Sequence, residues 1–166
     1  METKQIVEQV EAHPTLSHHE QREVGLELQA TLVELVDLAL LGKQLHWSVV
    51  GPGFRPLHLQ LDELVDAWRE LADTVAERAV ALGYWPDGRA GTVAGTSELD
   101  PVSAGAVADR EVVELLTNRL IDVVSRARAR MDRLGPLDLG SQDVLIEVVR
   151  ALEQQLWMVR AQRALT

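Results

Sequence analysis

The chain of 166 residues contains no cysteine. Disulfides, thiolate zinc sites and cysteine nucleophiles are therefore excluded. Aromatic residues are scarce, with one Phe, one Tyr and four Trp, set among many Ala, Leu and Val. That mix favours helices packed on helices over a β-sandwich, which wants more Thr, Ile and aromatics. No uninterrupted apolar run is long enough to span a bilayer. The opening segment METKQIVEQVEAHP is polar and acidic, without the apolar stretch of a secretory signal, so a soluble cytoplasmic protein is expected. Cationic residues are in deficit too. Lys plus Arg number 16 against 26 Asp plus Glu, for a formal net charge of -10. Such a surface repels nucleic acid and attracts cations.

What is present is helical pattern. Four long helices are predicted. The first runs from about Ser17, a plausible N-cap with Glu20 three residues on, to Val50. Leu28, Leu32, Leu35, Leu38 and Ala39 carry its periodicity. Gly51-Pro52-Gly53 breaks it. The second runs from about Phe54 or Pro56 to Leu82, with Gly83 closing it. The stretch from Tyr84 to Ala108 is long for a helix–helix connection, and a short helix is expected near Gly91 to Leu99. The third long helix spans about Asp109 to Leu134, and the fourth about Ser141 to Arg163. Residues 1–16 read as a tail and 17–166 as one domain. Four long helices with one long crossover between the second and third describe an all-α, ferritin-like four-helix bundle.

Five candidate metal ligands stand out among the His, Asp and Glu residues between Leu41 and Arg78: His46, His58, Asp62, Asp73 and Glu77. At about 100° per residue, Asp62, Asp73 and Glu77 lie near ~40°, ~60° and ~100° from His58 on the second helix. Leu57, Leu61, Leu64, Trp68, Leu71, Val75, Ala79 and Leu82 cluster around ~260°, which makes them the core stripe and leaves the metal-type stripe outside the bundle core. The Glu-x-x-His motif of di-iron sites inside bundles is absent from the sequence. Imidazole plus carboxylate is a ligand set for a divalent metal such as Fe(II). Asp62 and Asp73 are eleven residues apart, about 16 Å along a helix, too far for one ion with ligands at ~2.0–2.2 Å. Two antiparallel copies of the helix about a two-fold axis would bring the His58/Asp62 end of one beside the Asp73/Glu77 end of the other, giving two equivalent sites. His46, just before the Gly-Pro-Gly turn, can fold back to complete the histidine half.

These residues resemble the ferroxidase signature of the Dps family, the miniferritins that protect DNA during starvation. The pattern stands here as Lys43, His46, Trp47, Gly51, Phe54, Leu57, His58, Asp62, Asp73, Glu77 and Arg78. The resemblance implies a hollow cage of twelve subunits with iron sites at two-fold interfaces. It implies Fe(II) oxidation, preferably by hydrogen peroxide, with ferric oxide stored inside. His46, His58 and Asp62 would come from one chain and Asp73 and Glu77 from its partner. Asp73, Glu77 and the partner's His46 would hold iron more tightly than His58 and Asp62. Lys43 and Arg78 would orient carboxylates, and Trp47 would intercept stray oxidising equivalents. Asp138, Asp143 and Glu147 would fall near an acidic three-fold pore for iron entry.

Plainer roles compete with several of these. Trp47 can be an interface filler. Trp68 and Trp157 are expected in the core. Lys43 and Arg78 can be ordinary ion pairs. Asp138, Asp143 and Glu147 sit where acids favour a helix start. His13, His18 and His19 form either an accessory metal cluster or solvated imidazoles. The N-terminal tail sets one Lys against Glu2, Glu8 and Glu11, and the C-terminus offers Arg150, Arg160 and Arg163 without a basic extension, so DNA binding is expected to be weak or absent. The competing functions are a nucleoid-compacting DNA-binding protein with secondary iron chemistry, and a helical oligomer that binds zinc or manganese without turnover.

Overall fold

The computed structural model describes residues 12–163. Glu2, Glu8 and Glu11 of the N-terminal tail, with its Lys4, lie outside the described residues. Four long helices, α1 (His18–Ser48), α2 (Phe54–Ala81), α4 (Asp109–Leu134) and α5 (Leu139–Arg160), are joined by a short α3 (Ala90–Thr96) and two two-residue strands, β1 (Val49–Val50) and β2 (Val107–Ala108). The helix plan expected from sequence is present, and the short helix sits in the predicted crossover. The strands were not foreseen. The stretch read as the last turn of the first helix is β1, which pairs in parallel with β2, Val49 opposite Val107 and Val50 opposite Ala108.

Local chemistry accounts for the boundaries. Ser17 caps α1 in a capping box, its hydroxyl accepting from the Glu20 N–H while the Glu20 carboxylate accepts from the Ser17 N–H. Beyond α2, Gly83 adopts φ +80°, the left-handed geometry that glycine supplies just past a helix end. Asp138 caps α5, three residues earlier than the expected start near Ser141.

Helices α1 and α2 form one hairpin and α4 and α5 the other; α1 packs on α4, and α2 on α5. The four therefore stand in the order α1, α2, α5, α4 around the core. All eight residues of the α2 core stripe are buried, as are Leu28, Leu32, Leu35, Leu38 and Ala39 of α1. Each fully buried Leu contributes about 1.5–3 kcal/mol. Trp68 is fully buried, and its indole N–H donates to Gln155 Oε1 of α5 at 2.7 Å. Trp157 departs from expectation: it is 66% exposed, because the buried stripe of α5 runs through Leu145, Val148, Val149, Leu152 and Val159. The seam between α1 and α4 is ionic. Glu34, 2% exposed, is held by Arg126 and, at 2.5 Å, by Arg130.

Candidate metal centre

Helix α1 delivers His46 at its last turn, and α2 delivers His58 at its first. Between them, β1 and the turn 51–53 reverse the chain. Gly51 adopts φ +123°, a conformation that other residues rarely take. The reversal lays the two imidazoles on each other, ring centroids 3.6 Å apart and planes 21° from parallel. The backbone contacts are reciprocal: His46 Nδ1 lies 2.9 Å from the His58 carbonyl, and His58 Nδ1 lies 2.9 Å from the His46 carbonyl. A carbonyl only accepts, so each Nδ1 carries the proton. Each Nε2 keeps its lone pair, the tautomer a metal ligand requires. Phe54, flagged in the sequence without a role, leans on His58 with centroids 5.0 Å apart.

Asp62, one turn along α2, joins this group. Its Oδ1 lies 3.4 Å from His46 Nδ1 and accepts from Lys43 Nζ at 2.5 Å. The Lys43 hydrogen bond, aided by the Lys43 charge, outweighs partial desolvation and holds the Asp62 carboxyl below the usual carboxylate range. Lys43 thus pairs with a candidate ligand, as expected.

Asp73 and Glu77 do not join them. Both are exposed on the second half of α2. Asp73 borders an apolar groove of about 430 Å³ between α1 and α2, lined by Leu32, Val36, Leu40, Ala72 and Ala76. Among the described residues, no group of three or more His, Asp or Glu within one chain gathers closely enough to hold a metal ion. The candidates stand as two separated groups, one where α1 meets α2 and the other farther along α2.

Arg78 and Asp138 take the plainer of the roles read for them in the sequence. Arg78 does not pair with Asp73 or Glu77. Its Nη2 donates to Asp138 Oδ2 at 2.6 Å and its Nε to Ser141 Oγ at 3.1 Å, because it points toward the start of α5. Asp138 in turn is committed to the cap, accepting the Ser141 N–H at 2.9 Å. Burial raises its affinity for a proton, but the Ser141 and Arg78 hydrogen bonds prevail and leave its carboxyl lowered. Asp143 and Glu147 remain exposed beside Arg150 on α5. Among the N-terminal histidines, His13 Nδ1 is engaged by the Thr15 N–H at 3.3 Å.

The ferritin-like domain model matches residues 26–166. The DNA protection during starvation protein of Mycolicibacterium smegmatis is 36% identical over 151 residues, covering 89% of this chain and 81% of the relative. The fine tangled pili major subunit of Haemophilus ducreyi is 34% identical over 134 residues, covering 81% and 71%. Among solved structures, Dps from Microbacterium arborescens in its high iron form superposes with a TM-score of 0.83 at 31% identity, covering 87% of this chain and 95% of that one. Sequence and fold lead to one assignment: the chain belongs to the Dps family of ferritin-like proteins.

Proposed function

We propose that this protein is a ferroxidase and iron store that protects DNA by removing Fe(II) and peroxide together. Residues 17–166 form the ferritin-like unit, twelve copies close into a cage, and His46, His58, Asp62, Asp73 and Glu77 hold the iron. The observation that carries the reading is the pair of stacked imidazoles, each with its Nδ1 turned to the other residue's carbonyl, an arrangement that supports Nε2 ligation of a metal. The separation of the carboxylate half on the same helix supports completion of each centre by a second copy, and the groove beside Asp73 is where the partner's histidine end would seat. The high iron form of the Microbacterium relative supports iron as the metal.

The chemistry follows from the ligand types. Two Fe(II) each give one electron to hydrogen peroxide, the O–O bond breaks, and two protons complete two waters. Pairing the electrons avoids release of hydroxyl radical. Hard carboxylates stabilise the Fe(III) product. Trp47, 70% exposed on the protomer beside His46, is placed to fill the interface or intercept stray oxidising equivalents. Asp143 and Glu147 attract incoming cations. DNA binding is weak, since Arg163 is engaged by Glu114 and the chain is acidic overall.

The test is Fe(II) plus peroxide, followed by ultraviolet absorbance and by sizing, on the natural protein, His46→Ala and Asp73→Ala. Each variant should oxidise iron at least about tenfold more slowly in an intact cage. Undiminished oxidation in both would overturn the assignment, and no oxidation by the natural protein would favour a zinc or manganese binder.

A further inference from the structure

Asp109 belongs to none of the motifs that point to the metal centre, yet its carboxylate grips the turn on which that centre depends. Because each histidine bonds the other's carbonyl, the meeting of His46 and His58 is set by the path of residues 49–53. Helix α2 has Gly53 as its N-cap residue, with no capping side chain and no acid in its first turn, so it lacks the usual partner for its first N–H groups. Asp109, first residue of α4, supplies one across the bundle. Its Oδ2 accepts the Gly53 N–H at 2.5 Å while its Oδ1 accepts the Arg110 N–H at 2.8 Å. The β1–β2 pairing brings α4 to the turn, ending at Val50 and Ala108, immediately before Asp109. The fit is close: a Cβ at Gly51 would come within 2.9 Å of the Asp109 carboxylate carbon, and one at Gly53 within 2.8 Å of Oδ2.

We infer that Asp109 is a positioning residue for the His46/His58 half of the centre, capping α2 from the far side of the chain and so fixing where the two imidazoles meet. It rests on the metal-site reading above. The Asp73/Glu77 half begins about 30 Å farther along α2, beyond its reach.

The test uses the full-length assembled protein with Co(II), a metal that binds such ligands without turning over, and then Fe(II) kinetics. Asp109→Ala should weaken Co(II) binding about tenfold and raise KM for Fe(II) more than it lowers kcat, with cage size unchanged. Asp109→Asn keeps an oxygen facing the Gly53 N–H and should restore most of the loss. Asp109→Ala binding Co(II) like the natural protein, while His46→Ala binds it weakly, overturns the role of Asp109 alone. If His46→Ala also binds normally, the reading of the centre fails and this inference with it. Should Asp109→Ala not assemble, Asp109→Asn is read against Asp109→Glu, whose extra methylene drives the carboxylate into Gly51 and Gly53. Weaker binding in the Glu variant only is expected, and equal affinities overturn the inference.

Discussion

The Asp62 carboxylate meets Lys43 at 2.5 Å and lies close to His46, and this contact links the last turns of α1 to the first turns of α2. Its proton affinity is lowered chiefly by the Lys43 hydrogen bond. A group whose folded pKa is depressed contributes stability that is fully present above its unfolded value and is lost as pH falls through the folded one. Lys43→Met should therefore lower the urea midpoint modestly near neutrality. The gap to the natural protein should shrink as pH drops below the ordinary carboxylate value of 3.8 and close once Asp62 is protonated in both. Unfolding measured from pH 7 down to pH 3 decides it: a gap that is constant with pH would mean Lys43 acts by packing its stem and not by its charge.

Helix by helix, the legible features are those written in local pattern. The α2 stripe from Leu57 to Leu82, the Ser17 cap and the Gly51–Gly53 break depend on neighbours within a few residues, and the structure reproduces each. The five candidate ligands were legible for the same reason, since four share one helix at fixed turns. What the sequence hides is pairing over long separations. Arg78 reads as a neighbour of Glu77 yet reaches Asp138, 60 residues away. Asp109 reads as a helix start yet caps a different helix. Glu34 carries no local signal of its partners, but it is buried between Arg126 and Arg130, and only the α1–α4 packing brings the three together. Losing one member of a buried ionic group strands the others. Glu34→Ala should thus cost about 3–5 kcal/mol of unfolding free energy, read as a fall in the chemical-denaturation midpoint, whereas Glu153→Ala, removing the partly exposed partner of Arg128, should cost far less. Equal losses would show that the α1–α4 seam does not depend on its buried charges.

On the scale of the assembly, the divided site makes a prediction that a single-chain site cannot satisfy. In the proposed assembly each centre takes its histidine half from one copy and its carboxylate half from another. Oligomers made only of His46→Ala chains, or only of Asp73→Ala chains, then have a defect in every centre. When the two are co-expressed, a mixed two-fold pair holds one centre with both defects and one with neither. The intact centre joins His46, His58 and Asp62 of the Asp73→Ala chain to Asp73 and Glu77 of the His46→Ala chain. Random pairing at equal expression makes half the pairs mixed, so about a quarter of all centres should be whole. Cages purified through two different affinity tags should then oxidise Fe(II) at about a quarter of the natural rate, although neither parent does so appreciably. A site confined to one chain predicts the opposite, mixed cages as inactive as their parents. Because a mixed cage holds all five candidate ligands while no single chain in it does, recovered activity would report how they are divided between chains, the property that the spacing along α2 points to.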